Sequence, residues 1–182
     1  MRKPIVLAAV LALAGASEAR AQIAVVGLAD VGYTLVDPQD WLGNGVFNAN
    51  KLSYAGSAGL LFGNRYGAGL QVGLEAGLHR VMGFDTRVGG DVVASNATAF
   101  RALGYIRFWM GEEKLWFGEL GVGAHLFDGF SNPSFSPGLG TVLGEGSVQF
   151  PVKIRGSLLF DREGWVFPLV FQTGVQWQIR DR

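Results

Sequence analysis

One stretch of the sequence restricts its fold more than any other. Residues 66–78 alternate without a break between apolar side chains and side chains that are small or polar. A period of two predicts an extended strand with one apolar face, here formed by Tyr66, Ala68, Leu70, Val72, Leu74, Ala76 and Leu78. Thirteen residues in this pattern are long for a soluble sheet, where strands have about 5–6 residues. They suit a tilted strand that crosses a bilayer, which needs about 9–11.

The same alternation recurs along the chain, which indicates an all-β protein. It is present within residues 25–35, 52–62, 100–108, 116–126 and 167–179. Glycine, a poor helix former, accounts for 28 of the 182 residues. The chain is 49% hydrophobic, yet after residue 21 it has no apolar run of about 18 residues that would predict a membrane-spanning helix.

The N-terminal segment has the features of a secretory signal peptide. A basic start at Arg2 and Lys3 precedes an apolar run over residues 5–15, and an A-x-A site ends at Ala21. This order predicts a signal peptide over residues 1–21 and a barrel domain over residues 22–182. A retained membrane anchor is the alternative, although the apolar run is short for a spanning helix.

Composition excludes several functional classes. Removal of the predicted signal peptide reduces 15 basic residues to 12 and 15 acidic residues to 14, so there is no electrostatic case for a nucleic-acid partner. The absence of cysteine excludes thiol chemistry and zinc–thiolate sites. No nucleophile elbow, P-loop or H-E-x-x-H motif is present. We therefore predict no catalytic residue, no metal site and no cofactor.

The predicted connections alternate between short and long. Residues 64–65 and 111–114 read as tight turns, whereas residues 37–51, 83–97 and 128–137 read as long polar loops. Barrels of bacterial outer membranes have short periplasmic turns and longer extracellular loops. The pattern predicts a protein of the outer membrane of a Gram-negative bacterium, in contact with outer-membrane lipids.

The three long segments are the predicted contact surface for an extracellular partner, because loops on a rigid scaffold are the usual place for binding. Their apolar side chains are the candidates for such a contact. These are Trp41, Phe47, Phe130 and Phe135.

Residues 138–161 can be divided in more than one way, because a single phase continues through them. Barrels of this kind have even strand numbers, which favours two strands with a turn at residues 149–152 around Pro151. Proline is expected at turns and edges rather than in the middle of a sheet. A turn at Gly144-Glu145-Gly146 is the rival, and one long strand, giving seven in all, is a third possibility.

With a signal peptide, about eight alternating strands and the terminal segment Gly174-Val175-Gln176-Trp177-Gln178-Ile179-Arg180, the chain resembles the small outer-membrane β-barrels of the OmpA/OmpX type. The resemblance implies an eight-stranded antiparallel up-and-down transmembrane barrel that is inserted by the barrel-assembly machinery. Such proteins commonly end in an aromatic residue which that machinery reads, and Trp177 is the candidate for this role here.

The inward phase of the predicted strands contains charges of both signs. An eight-stranded barrel is just wide enough for side chains to fill it, and buried charges need partners. The turn centred on Glu113 would set Arg107 opposite Glu119 and Arg101 opposite His125. The candidates for ion pairing in the lumen are Asp30, Glu75, Arg101, Arg107, Glu119, Glu145, Lys153 and Arg155.

His79 and His125, the two histidines of the chain, are predicted at the extracellular rim because both lie late in upward strands. Two roles are possible for them. They could form a proton-sensitive or metal-binding pair, or they could be two histidines with ordinary hydrogen bonds.

Residues 119–125 are similar to a strand of outer-membrane lipid A deacylases, but the His-x-Ser pair that such enzymes use is missing. The leading functional hypothesis is therefore a non-enzymatic outer-membrane barrel that presents loops and supports the envelope. The alternatives are a narrow pore for small solutes, a lipid A-modifying enzyme and a soluble lipocalin-like barrel.

Overall fold

The computed structural model describes residues 22–35, 52–88, 91–127, 130–160 and 165–179. No helix in these ranges is long and apolar enough to cross a membrane. Within them the chain forms the strands β1 (Gln22–Leu35), β2 (Leu52–Asn64), β3 (Leu70–Val88), β4 (Asp91–Met110), β5 (Trp116–Phe127), β6 (Phe130–Leu143), β7 (Val148–Gly156), β8 (Leu158–Phe160) and β9 (Trp165–Ile179). The predicted signal peptide and the predicted loop at residues 37–51, with Trp41 and Phe47, lie outside the described residues.

The strands close into a barrel. From β1 to β7 each strand pairs antiparallel with the next, and β1 also pairs with β9. The short strand β8 lies between β6 and β9, as β7 does, and keeps the same register with both neighbours. β7 and β8 therefore form one wall strand that is interrupted at Ser157. The prediction of an eight-stranded antiparallel up-and-down barrel is confirmed.

The barrel has an apolar exterior and a polar interior. Leu78 on β3 and Val122 on β5 are 61% and 66% exposed on the outer wall. Arg107 and Glu119, on the opposite phase of β4 and β5, are 0% and 1% exposed. A lipocalin-like barrel would bury its apolar phase, so this alternative is wrong. An apolar outer band around a polar interior is the arrangement of a transmembrane barrel.

The tight turns cluster at one end of the barrel, here called the short-turn end. The turn after β4 spans residues 111–115, one residue longer than the predicted turn at 111–114. The turn after β2 spans residues 65–69, so β3 begins at Leu70 and the first residues of the alternating run are not in the strand. The Asn64 side chain explains the difference, because its Oδ1 accepts the backbone N–H groups of Tyr66 and Gly67 at 2.9 and 3.2 Å. Such Asx turns compete with strand pairing.

The predicted turn around Pro151 is wrong, and the rival position is correct. β6 ends at Leu143 and β7 begins at Val148. Gly144 and Gly146 in this turn have φ values of +87° and +86°, a conformation that glycine adopts without a steric penalty. Pro151 lies opposite Val142 within the β6–β7 pair. The third possibility, one long strand over residues 138–161, is excluded by the same turn.

Two of the predicted long loops are wrong in extent. β3 and β4 pair through residues 83–88 and 91–97, with register shifts after Val81 and Thr86. β6 begins at Phe130 and pairs with β5 across the segment predicted as residues 128–137. Polar residues can occupy these strands because each neighbour supplies backbone partners. Phe130 and Phe135, predicted on a loop, therefore lie on β6.

Candidate functional site

Seven of the eight predicted lumen residues lie on inward strand positions and are buried. Glu145 is the exception, and its prediction is wrong. It lies in the β6–β7 turn and is exposed, whereas the phase argument had treated residues 138–161 as continuous strand. The other residues form one connected group, here called the lumen cluster: Asp30, Glu75, Arg101, Arg107, Glu119, Lys153 and Arg155.

Glu119 on β5 forms the half of the lumen cluster nearer the short-turn end. Its Oε1 accepts a hydrogen bond from Arg107 Nε at 2.9 Å. Its Oε2 accepts bonds from Lys153 Nζ at 2.8 Å and from Arg155 Nη2 at 2.9 Å. Arg107 and Glu119 are direct partners in the β4–β5 register, as the length of the turn between them had predicted. One carboxylate thus holds cations from β4 and β7.

Glu75 on β3 forms the other half of the lumen cluster. Arg155 Nη1 donates to both of its oxygens at 2.9 and 2.8 Å, and Arg101 Nη2 donates to Oε1 at 2.7 Å. Arg101 Nη2 also lies 2.8 Å from Asp30 Oδ2. These contacts form one continuous chain of ion pairs across five strands, from β1 through β4, β3 and β7 to β5. Its members in order are Asp30, Arg101, Glu75, Arg155 and Glu119. The cluster therefore crosses the interior from wall to wall.

Aromatic rings offset the excess positive charge of the lumen cluster, which has four cations and three carboxylates. Lys153 Nζ and Arg155 Cζ lie 5.3 and 5.4 Å from the ring centre of Tyr105. Arg107 Cζ lies 4.1 Å from the ring centre of Phe117. A cation over a ring face is attracted by the ring quadrupole. This role was not predicted, although Tyr105 is in the same inward phase as Arg101 and Arg107.

A second set of polar contacts fills the lumen at the short-turn end. Trp109 Nε1 donates to Gln71 Oε1 at 2.8 Å, and Arg65 Cζ lies 4.2 Å above the Trp109 ring. The side-chain amides of Gln176 and Gln178 both donate to Gln149 Oε1, at 3.2 and 3.0 Å. No role was predicted for these residues. The sequence feature that could have indicated them is the glutamines at 172, 176 and 178, which share the inward phase of the last strand.

The two histidines lie inside the barrel, where they are 1% and 0% exposed. Both lie on the side of the lumen away from the short turns, and β3 continues beyond His79 to Val88. His79 Nδ1 and His125 Nε2 are 3.0 Å apart and share a hydrogen bond. Arg101 is opposite His125, as predicted. Among the residues that the structure describes, no group of three potential ligands is placed to hold a metal ion.

A closed wall with an apolar exterior and an ion-paired interior defines the class of this protein. It is a small transmembrane β-barrel whose lumen is filled by side chains.

Comparison with known proteins gives similar shapes and no family. The sequence matches no protein-family model and no characterised protein at a significant level. The outer-membrane protein Ail of Yersinia pestis, in a phospholipid bilayer nanodisc, is 10% identical with a TM-score of 0.48, over 85% of this chain and 99% of that chain. OprG from Pseudomonas aeruginosa is 13% identical with a TM-score of 0.46, over 88% and 96%. A structure from the de novo design of transmembrane β-barrels is 10% identical with a TM-score of 0.46, over 86% and 95%.

Proposed function

We propose that this protein is a non-enzymatic barrel of the outer membrane of a Gram-negative bacterium, with a lumen that does not conduct. The lumen cluster is the observation that carries the proposal. Its ion pairs run continuously from Asp30 on β1 to Glu119 on β5. Because these short contacts are continuous, an ion or small solute could cross the lumen only by breaking a buried ion pair. Breaking such a pair costs a large free energy.

Below the cluster, the contacts of Trp109 and the glutamines support the same proposal. Arg65 donates from Nε to the backbone oxygen of Lys114 at 2.8 Å and stacks on Trp109. These groups fill the short-turn end, which faces the periplasm in outer-membrane barrels. A solute would have to displace both layers, so we place the protein with filled barrels rather than with pores.

Its role at the membrane would then depend on its surfaces. We propose that the outer wall contacts outer-membrane lipids, that the barrel-assembly machinery inserts the chain after export, and that the end opposite the short turns meets an extracellular partner. The β3–β4 hairpin supports this, because β3 continues for eight positions from Arg80 to Val88, which extends the hairpin by about 20 Å at the usual strand rise and tilt. Residues 83–88, 91–97 and 130–137 contribute to this surface as extended strands, and the segment 37–51 is its third predicted part.

Conductance in planar bilayers tests the filled lumen. The full-length protein should give no steady single-channel current. The triple variant Trp109→Ser/Lys153→Ser/Arg155→Ser, which removes side chains from both layers, should admit small ions and so shows that inserted protein is detected. Glu145→Ser is the matched control, because Glu145 is exposed in a turn, and it should remain silent. A steady current from the unmodified protein would support the narrow pore instead.

Location is tested separately by fractionation. The protein should be found in the outer-membrane fraction and should migrate differently on gels before and after heating, as folded barrels do. Mass spectrometry of lipid A with and without expression tests the absence of enzymatic activity. A change in acyl-chain number that depends on expression would contradict the proposal.

A further inference from the structure

Arg80 on β3 is an exception on the outer wall. Among the outward strand positions whose side chains the structure describes, it is the one that carries a charge. Its Nη1 donates to Thr98 Oγ1 at 3.0 Å across the β3–β4 pair. A guanidinium has five N–H donors, of which this bond uses one. Because the rest of this surface faces lipid, we expect the Arg80 cation to have an anionic partner at the same depth in the membrane.

The height of Arg80 corresponds to the lipid headgroups. Arg80 follows Leu70, the first residue of β3, by ten positions. With a rise of about 3.3 Å per residue and a tilt of about 40°, it lies about 25 Å above the short-turn end of the strand. The apolar band of such barrels is also about 25 Å tall. Arg80 is therefore at the boundary away from the short turns, where lipid phosphates lie.

A groove runs down the wall from Arg80. Two depressions of about 630 and 450 Å³ share Ala58 and Ala76 and so follow each other along the surface. Short side chains form the floor of both depressions, because Ala58, Ala76 and Ala102 are aligned in the register of β2, β3 and β4. The outward side chains that border the groove are Tyr54, Leu60, Leu74, Leu78, Arg80 and Thr98.

We propose that this groove is a binding site for an anionic, phosphate-bearing lipid, with the phosphate on Arg80 and one acyl chain against Ala58, Ala76 and Ala102. The proposal rests on the proposed function, because it needs the barrel to be in a bilayer. Arginine matches phosphate in geometry and charge, since two of its N–H groups can bind two phosphate oxygens. The apolar groove below provides the surface that the attached chain requires.

Charge favours a lipid over a second copy of the chain. A symmetric dimer through this groove would bring two Arg80 side chains into one apolar interface, where an unpaired cation is strongly disfavoured. A phosphate instead neutralises Arg80 at the headgroup level. The lipid is therefore the occupant that satisfies both the cation and the groove.

The test uses the full-length barrel reconstituted in vesicles of equimolar phosphatidylglycerol and phosphatidylcholine. Bound lipid is identified by native mass spectrometry after gentle extraction. The unmodified protein should retain phosphatidylglycerol in excess over phosphatidylcholine. Arg80→Ala should lower this excess about fivefold, since one basic residue at an anionic membrane surface contributes about 1 kcal/mol, and Arg80→Lys should keep most of it.

A second variant tests the groove without touching the charge. Ala76→Leu fills the shared part of the two depressions and should reduce the total lipid retained. Thr173→Leu places the same side chain at an exposed position of β9 away from the groove and should leave retention unchanged. Equal retention of the two lipids by the unmodified protein, or an excess that survives Arg80→Ala, overturns the proposal. Failure of the proposed function would differ, since the protein would then not float with the vesicles or would conduct ions.

Discussion

Arg155 binds the carboxylate of Glu75 across the barrel, with Nη1 2.9 and 2.8 Å from the two carboxylate oxygens. The two residues are 80 positions apart in the sequence. Both side chains are almost completely buried. The pair joins β3 to β7, which are not neighbours in the wall. The lumen cluster thus ties opposite sides of the barrel together, and its members should be important for stability.

Replacement of Glu119 should be the most destabilising single change in the lumen cluster. Glu119→Gln keeps the shape but removes the negative charge that three cations share. Leaving buried cations unpaired costs about 3–5 kcal/mol. The measurement is the free energy of unfolding from urea titration in detergent micelles. Glu145→Gln in the exposed turn should change it by no more than about 0.5 kcal/mol, and equal effects of the two variants would contradict the network.

Gly73 should be intolerant of even one added methyl group. The inward-facing ring of Tyr105 on β4 lies directly over it, and a Cβ at this position would overlap the ring. Gly73→Ala should cost about 1–3 kcal/mol through overpacking. The measurement is the temperature at which the folded form is lost. Gly27→Ala is the matched control because a Cβ there would meet no atom within 4 Å, and a comparable loss in that control would show that the ring contact is not the cause.

The position of the β6–β7 turn can be tested by insertion. A Gly-Ser-Gly insertion between Glu145 and Gly146 should leave a folded, heat-modifiable barrel, because exposed turn tips accept added residues. The same insertion between Pro151 and Val152 should prevent folding. An odd shift there would turn Lys153 and Arg155 from the lumen toward lipid. Normal folding of the second variant would place the turn at residues 149–152 after all.

The hydrogen bond between His79 and His125 should be visible as an energetic coupling. In a double-mutant cycle with His79→Phe and His125→Phe, the coupling free energy should be about 0.5–1.5 kcal/mol, the usual net value of a buried hydrogen bond. Unfolding in urea provides the four free energies. His79→Phe combined with Gln149→Leu, which lies toward the short-turn end, should be additive. Additivity in both cycles would mean that the two rings do not interact.

The wall of the barrel could be predicted from the sequence because it depends on local information. Alternation with a period of two is a property of each strand by itself, and it correctly set most inward and outward positions. The register of β4 and β5 could also be predicted, since a short turn fixes which residues are opposite. Arg107 and Glu119 can therefore be predicted as partners, and the β4–β5 register pairs them.

The failures have local physical causes. Glu145 was assigned to the lumen because the phase of its neighbours continues through the turn, although glycine at positive φ on both sides of it makes that turn. Pro151 was assigned to a turn because proline lacks an N–H, yet it is accommodated inside the β6–β7 pair. In the first case the glycines ended the strand although the phase continues, and in the second the pairing of β6 with β7 outweighed the preference of proline.

The contacts across the lumen could not be predicted from phase at all. Which inward residue of β3 meets which inward residue of β7 depends on the stagger of the whole barrel, and no single strand contains that information. The sequence therefore identified Glu75 and Arg155 as inward charges and left their pairing open. The depth of the outer groove below Arg80 depends on the same alignment of alanines on three strands.

The pairing of β1 with β9 has a consequence for how the protein reaches the membrane. Until these terminal strands meet, β1 is joined to the rest of the wall on one side only, and Asp30 on it cannot reach its final position beside Arg101 on β4. During that interval the charged side chains of the lumen must remain hydrated, because an unpaired charge is strongly disfavoured in hydrocarbon. The pairing of β1 with β9 and the release of water from the lumen are thus one event. A chain stopped just before this event would be an open, water-filled sheet.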